Sequence, residues 1–133
     1  MHKYLGRWEG GIYSLLRFVA GFLFALHGAQ KLFGALGGID KQGGTVEIAS
    51  LLGLAGIIEL VGGTLIALGL FASWAAFIAS GEMAVAYFKV HAPQNFWPLL
   101  NGGEVVVLYC FLFLYIAARG DGPFSLGGAM RRR

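Results

Sequence analysis

The chain has 133 residues, 57% of them hydrophobic and only 13% charged, with a mean hydropathy of +0.70. A soluble domain carries roughly a quarter charged residues, so water is excluded as the main solvent and an integral membrane protein is expected. The formal charge of +3 does not point to nucleic acid, because the basic residues flank apolar segments instead of forming a face interleaved with stacking aromatics.

Four apolar segments of bilayer-crossing character are predicted, at about 12–34, 51–71, 74–90 and 103–118. The first begins after Lys3 and Arg7 like a signal peptide. Its apolar run continues through His27 and Lys31 to Phe33 with no small-x-small cleavage site, so it is expected to be retained. Residues 37–45 (GGIDKQGGT) read as a flexible loop, and Ala72 and Ser73 as a tight hairpin between the second and third segments. Residues 91–100 (HAPQNFWPLL) suit a segment lying in the membrane interface. Lys3, Arg7, Arg119, Arg131, Arg132 and Arg133 fall on the side of the termini, against Lys41 and Lys89 on the other, which places both termini in the cytoplasm. The expected architecture is one all-α domain over 1–133, a four-transmembrane-helix bundle, with the terminal arginine run as a topology anchor touching anionic lipid.

Ionisable groups inside the apolar segments carry the functional signal, because each costs about 2.5 to 3.5 kcal/mol at the bilayer centre. The first segment holds Arg17, His27 and Lys31, the second Glu59, the third Glu82 and Lys89, and the fourth opens with Glu104. At helical spacing Arg17, His27 and Lys31 share a face with Gly21 and Gly28, and Gly56, Glu59 and Gly63 share another. Depth then predicts a polar cluster in the outer half of the bundle, with Lys31 and His27 facing Glu59, Glu82 and Glu104, and His91 near the outer boundary. Two readings stay open: interhelical glue, or a ligand and proton site. Arg17, on the inner side, is expected to snorkel or to bond backbone carbonyls.

No catalytic residue, cofactor site or metal site is read from the chain. The single Cys110 excludes an intrachain disulfide or CxxC pair. No nucleotide-binding glycine motif opens a βαβ unit, and there is no Ser-His-Asp set or HExxH helix.

The order and spacing of several motifs resemble the DoxX family of small four-helix membrane proteins. They are Arg17, His27-Gly28 and Lys31-Leu32-Phe33-Gly34 in the first segment, then Glu59-Leu60-Val61-Gly62-Gly63 and Gly69-Leu70 in the second. Met83 with Ala86, Asn101-Gly102-Gly103-Glu104 and the tail Gly120-Asp121-Gly122-Pro123-Phe124-Ser125-Leu126 complete the set. Two departures stand out: Ser73-Trp74 occupies the place where the family often has arginine, and Gly127 the place where it commonly has aspartate.

The resemblance implies a multi-pass bacterial inner-membrane protein related to the membrane subunit of thiosulfate:quinone oxidoreductase. A quinone-type or other small apolar ligand would then be the expected substrate, with His27, Lys31, Glu59, Glu82, Glu104 and His91 as the candidate ligand or proton-binding residues. Electrons would come from a partner redox subunit. The competing reading is a non-catalytic scaffold or accessory subunit, and membrane lipid and a homo-oligomer are the remaining expected partners.

Overall fold

The computed structural model describes residues 1–133 and is all-helical, without strands. Helix α1 runs Glu9–Phe33 and is preceded by helical turns over 2–8. Helix α2 spans Leu51–Leu68, and α3 spans Ala72–Ala86, prolonged by a wide π turn, Tyr87–His91. A short α4, Pro98–Asn101, leads into α5, Glu104–Arg119, and a tail ends in α6, Leu126–Arg131.

Helices α1 and α2 are long and apolar enough to cross a membrane. At 1.5 Å per residue, the 18 residues of α2 extend about 27 Å, close to the hydrocarbon thickness of about 30 Å. Large apolar side chains such as Leu15, Phe18, Phe22, Phe77, Leu108 and Phe111 are exposed all round the molecule. A surface of that kind fits lipid as solvent.

The helices pack antiparallel to their neighbours around one core. Glycine sets the distance between α1 and α2. A Cβ on Gly21 would lie 2.6 Å from the Gly63 carbonyl oxygen, and one on Gly28 would lie 2.6 Å from that of Gly56. The two backbones therefore touch, which is how small residues let membrane helices associate. On α3 the buried stripe is Ala72, Ala75, Ala76, Ala79 and Met83, packed against Phe113 and Ile116 of α5. Phe24 of α1 closes the core edge-on to Phe113, with ring centroids 4.7 Å apart.

Two boundaries differ from the sequence reading. The break between α2 and α3 falls at Gly69–Phe71, so Ala72 and Ser73 are already helical. Gly69 (φ 66°) and Phe71 (φ 50°) are both left-handed, and the Ala72 amide is capped by Asp121 from the distant tail at 2.9 Å, a partner invisible to local sequence. The glycine-rich loop is ordered. Asp40 accepts hydrogen bonds from the amides of Gln42 (2.9 Å) and Gly44 (2.8 Å), and the Gly43 amide reaches the Gly37 carbonyl at 2.8 Å.

Candidate functional site

Lys31 lies in the last turns of α1 and Glu59 on the facing side of α2, both in the half of the molecule away from the termini. The backbone contact at Gly28 and Gly56 brings these side chains into reach. Lys31 Nζ donates to both carboxylate oxygens of Glu59 at 2.6 Å. Glu59 is almost wholly buried, 3% of its side chain being exposed against 23% for Lys31. Residues 58–62, which carry Glu59, form a π turn within α2. Such widened turns re-aim side chains and recur at functional sites.

Glu82 stands on α3, which packs against residues 58–62 of α2. Its Oε2 is buried without a hydrogen-bond partner.

On its other side Glu82 lines an apolar groove of about 260 Å³ between the first turns of α2 and the second half of α3. Leu51, Leu54, Ile58, Ile78 and Val85 form its walls, Gly81 leaves room beside Glu82, and Lys89 also lines it. A Cβ on Gly81 would meet nothing within 4 Å. The groove is thus a slot for an apolar body with one acidic and one basic side chain lining it.

The remaining sequence candidates lie elsewhere. His27 is exposed and presents its ring edge-on to Tyr109 at 6.5 Å, beside a second hollow lined also by Leu23, Leu26, Gln30 and Leu36. Glu104 is exposed at the start of α5 and makes no ion pair. His91 Nδ1 lies 3.1 Å from the Asn101 carbonyl oxygen. There it belongs to a network that holds the proline-aromatic segment: Asn101 Nδ2 donates to the Tyr87 hydroxyl (3.1 Å) and the Asn95 carbonyl (2.6 Å), and Tyr87 donates to the Phe96 carbonyl. Tyr87 carries no signal in the sequence, and Asn101 stands out there only as part of the Asn101-Gly102-Gly103-Glu104 motif, with no role attached to it. No three His, Cys, Asp or Glu side chains converge as a metal-holding group.

A second polar centre sits at the end where the termini meet. Arg17, 2% exposed, donates to the Ile66 carbonyl (2.9 Å), the Ala67 carbonyl (3.5 Å), the Phe124 carbonyl (3.0 Å) and the Asp121 carbonyl. Asp121 in turn caps Ala72 and pairs with Arg131 at 3.1 Å. Gly127 packs so closely on Asp121 and the Gly69 carbonyl that a Cβ there would fall 2.9 Å from that oxygen. Aspartate has no space in this tail. At the other departure, Ser73 uses its hydroxyl to donate to the Ala117 carbonyl at 2.5 Å, joining α3 to α5.

An all-helical chain with bilayer-length apolar helices and charged residues buried between them is a membrane protein of the helical class. The DoxX family model matches residues 12–92, and the chain belongs to that family. It is also 43% identical over 116 residues to an uncharacterized protein of Haemophilus influenzae, an alignment covering 85% of this chain and 86% of the relative. No solved structure matches the chain.

Proposed function

We propose that this DoxX protein crosses a bacterial inner membrane four times, with both termini in the cytoplasm. In that membrane it binds a quinone-type or similar small apolar molecule in the groove beside Glu82, as part of a redox system whose electrons come from a partner subunit. The observation that carries the reading is the junction of an open apolar slot with a charge cluster in which one carboxyl has an unpartnered buried oxygen. Satisfied interhelical glue leaves no such atom. Ser80 and Ser73 illustrate glue: each hydroxyl is spent on an α5 carbonyl. Arg119 lies against Glu9 and Tyr13 donates to the Gly120 carbonyl, which fits an even number of crossings.

The test is equilibrium binding of a short-chain ubiquinone, oxidised and reduced, to the full chain in nanodiscs. Gly81→Leu, which fills the groove from a position with free space, should remove binding at least tenfold while the protein stays folded. Absence of binding in both redox forms, or equal binding by Gly81→Leu, would overturn the reading and favour the scaffold alternative, for which the satisfied Arg17 and Asp121 networks are the supporting observation.

A further inference from the structure

The hollow beside His27, of about 250 Å³, is lined by His27 and Gln30 of α1, Tyr109 of α5 and three leucines, Leu23, Leu26 and Leu36. Its polar side chains are unspent. Elsewhere Tyr13, Tyr87 and Tyr115 each engage a partner through the hydroxyl, His91 meets the Asn101 carbonyl and Gln94 donates to the Val90 carbonyl. Tyr109, His27 and Gln30 make no side-chain hydrogen bond within the protein. They are also close together. His27 and Gln30 stand at i and i+3 on α1, about 5–6 Å apart at Cβ, and the rings of His27 and Tyr109 have centroids 6.5 Å apart. Tyr109 is held in place, its ring stacked on Phe113 at 5.2 Å and tilted against Phe24 at 5.6 Å.

Depth restricts what can pair with them. His27 comes six residues before the end of α1 at Phe33, and Tyr109 five after the start of α5 at Glu104, so both lie about 8–9 Å inside the helix ends away from the termini. The 25 residues of α1 extend about 38 Å against about 30 Å of hydrocarbon, which puts His27 about 5 Å inside the hydrocarbon edge of a centred helix. Water is scarce at that level, and an unmade hydrogen bond there is costly. Each of the three side chains can donate, the neutral imidazole from one nitrogen. The lipid groups nearest that level are the ester carbonyls of glycerolipids, which accept only. Leu23 and Leu36 are exposed, so the hollow opens to the bilayer.

Resting only on α1 crossing the bilayer, and not on any guest beside Glu82, we infer that this hollow is a glycerolipid site. The ester carbonyls of one diacyl lipid accept from His27, Gln30 and Tyr109, and its acyl chains run along Leu23 and Leu26. Two carbonyls on neighbouring carbons of one glycerol match a compact trio of donors, whereas a ring with carbonyls at opposite ends reaches the trio with one. Neither Lys, Arg, Asp nor Glu lines the hollow, so it reads the uncharged glycerol ester that neutral and phosphate-bearing lipids share. An apolar cavity of about 150 Å³ holds benzene, and about 250 Å³ accommodates the glycerol with its esters.

The test is native mass spectrometry of the full chain in detergent. The probes are dioleoylglycerol and dioleoylphosphatidylcholine, each compared with its dioleyl ether analogue. At equal concentration the favoured diester should be retained about fivefold more than its ether, the worth of one or two net hydrogen bonds. Tyr109→Phe, which keeps the ring stack, and His27→Leu should each lower diester retention about threefold, and the double variant should bring it to the level of the ether. Which diester is retained more identifies the source of the glycerol ester, and equal retention assigns the site to both. Equal retention of diester and ether, or diester retention unchanged in the double variant, would overturn the inference. Retention lost in Gly81→Leu but kept in Tyr109→Phe would put the lipid in the groove beside Glu82 and overturn it as well. Retained helical content by circular dichroism in each variant separates these outcomes from loss of fold.

Discussion

The Lys31 and Glu59 pair makes an asymmetric prediction. Lys31→Met leaves Glu59, with 3% of its side chain exposed, facing Glu82 with no cation nearby. Removing one partner of a buried pair costs about 3–5 kcal/mol, and the value expected here is about 3 kcal/mol because the cluster can take up a proton. Glu59→Met orphans a lysine whose side chain is 23% exposed and whose long stem can turn its ammonium toward the mouth of the cluster, so it should cost only about 1.5 kcal/mol. The double variant loses both charges but leaves Glu82 without its acidic neighbour, at a cost of about 2 kcal/mol, well short of the sum of the single costs. Reversible unfolding in mixed micelles of rising SDS fraction, followed by circular dichroism, yields the three values. Equal costs for the two single variants, or costs that add, would refute the arrangement in which a buried acid depends on a partly exposed base.

The other predictions probe the rest of the scaffold. Gly28→Leu should destabilise by more than about 3 kcal/mol, since its side chain would displace the Leu60 and Gly56 backbone, while Gly81→Leu on open helix should be neutral or better; equal thermal stability of the two would contradict the contact. Arg17→Lys should cost about 2 kcal/mol, because one ammonium cannot reproduce a guanidinium fork that reaches four carbonyls, and limited trypsin cleavage after Arg119 should accelerate. Hydrogen bonds from the Gln42 and Gly44 amides hold the Asp40 carboxyl below its ordinary range. A lowered folded pKa stabilises the loop above the unfolded value of about 3.9 and loses that contribution as pH falls through the folded value. Amide exchange at Gln42 and Gly44 should therefore stay slow at pH 4, after correction for intrinsic rate, and Asp40→Asn should show no such dependence.

Much of this organisation is legible in the sequence because membrane helices leave few options. Runs of apolar residues with Gly21 and Gly28 opposite Gly56 and Gly63 specify two close antiparallel helices, and helical spacing puts Lys31 on the face that meets Glu59. What was hidden depends on partners far along the chain. The Gly69–Phe71 break takes its cap from Asp121, 49 residues after the amide it binds. The depth estimate for Glu104 ignored rotation about α5, and that rotation leaves its side chain exposed. His27 sits four residues from Lys31, yet a face about 80° wide is enough for one residue to meet α2 and the other to meet Tyr109 of α5. The π turn at 58–62 has no local signature at all, since it adjusts α2 to the residues packed against it.

The two buried cationic centres show why burial of charge alone does not identify a site. Arg17 is as buried as Glu59, and its donors end on carbonyls at the end of α2 and in the tail. The Ile66 carbonyl also accepts from the Gly69 amide, but those of Ala67, Asp121 and Phe124 lack a helical partner, so the guanidinium completes an account that the backbone leaves open, and nothing at that centre calls for a guest. At the opposite end the account does not close. Lys31 serves one acid, Glu59, and a second acid on the neighbouring helix, Glu82, retains an oxygen without a donor and lines an apolar slot. Stability would be served by a leucine at position 82, which removes both the desolvation cost and the unpartnered atom. Keeping a carboxyl there is costly for the fold, and a guest in the slot that pairs with it would offset the cost.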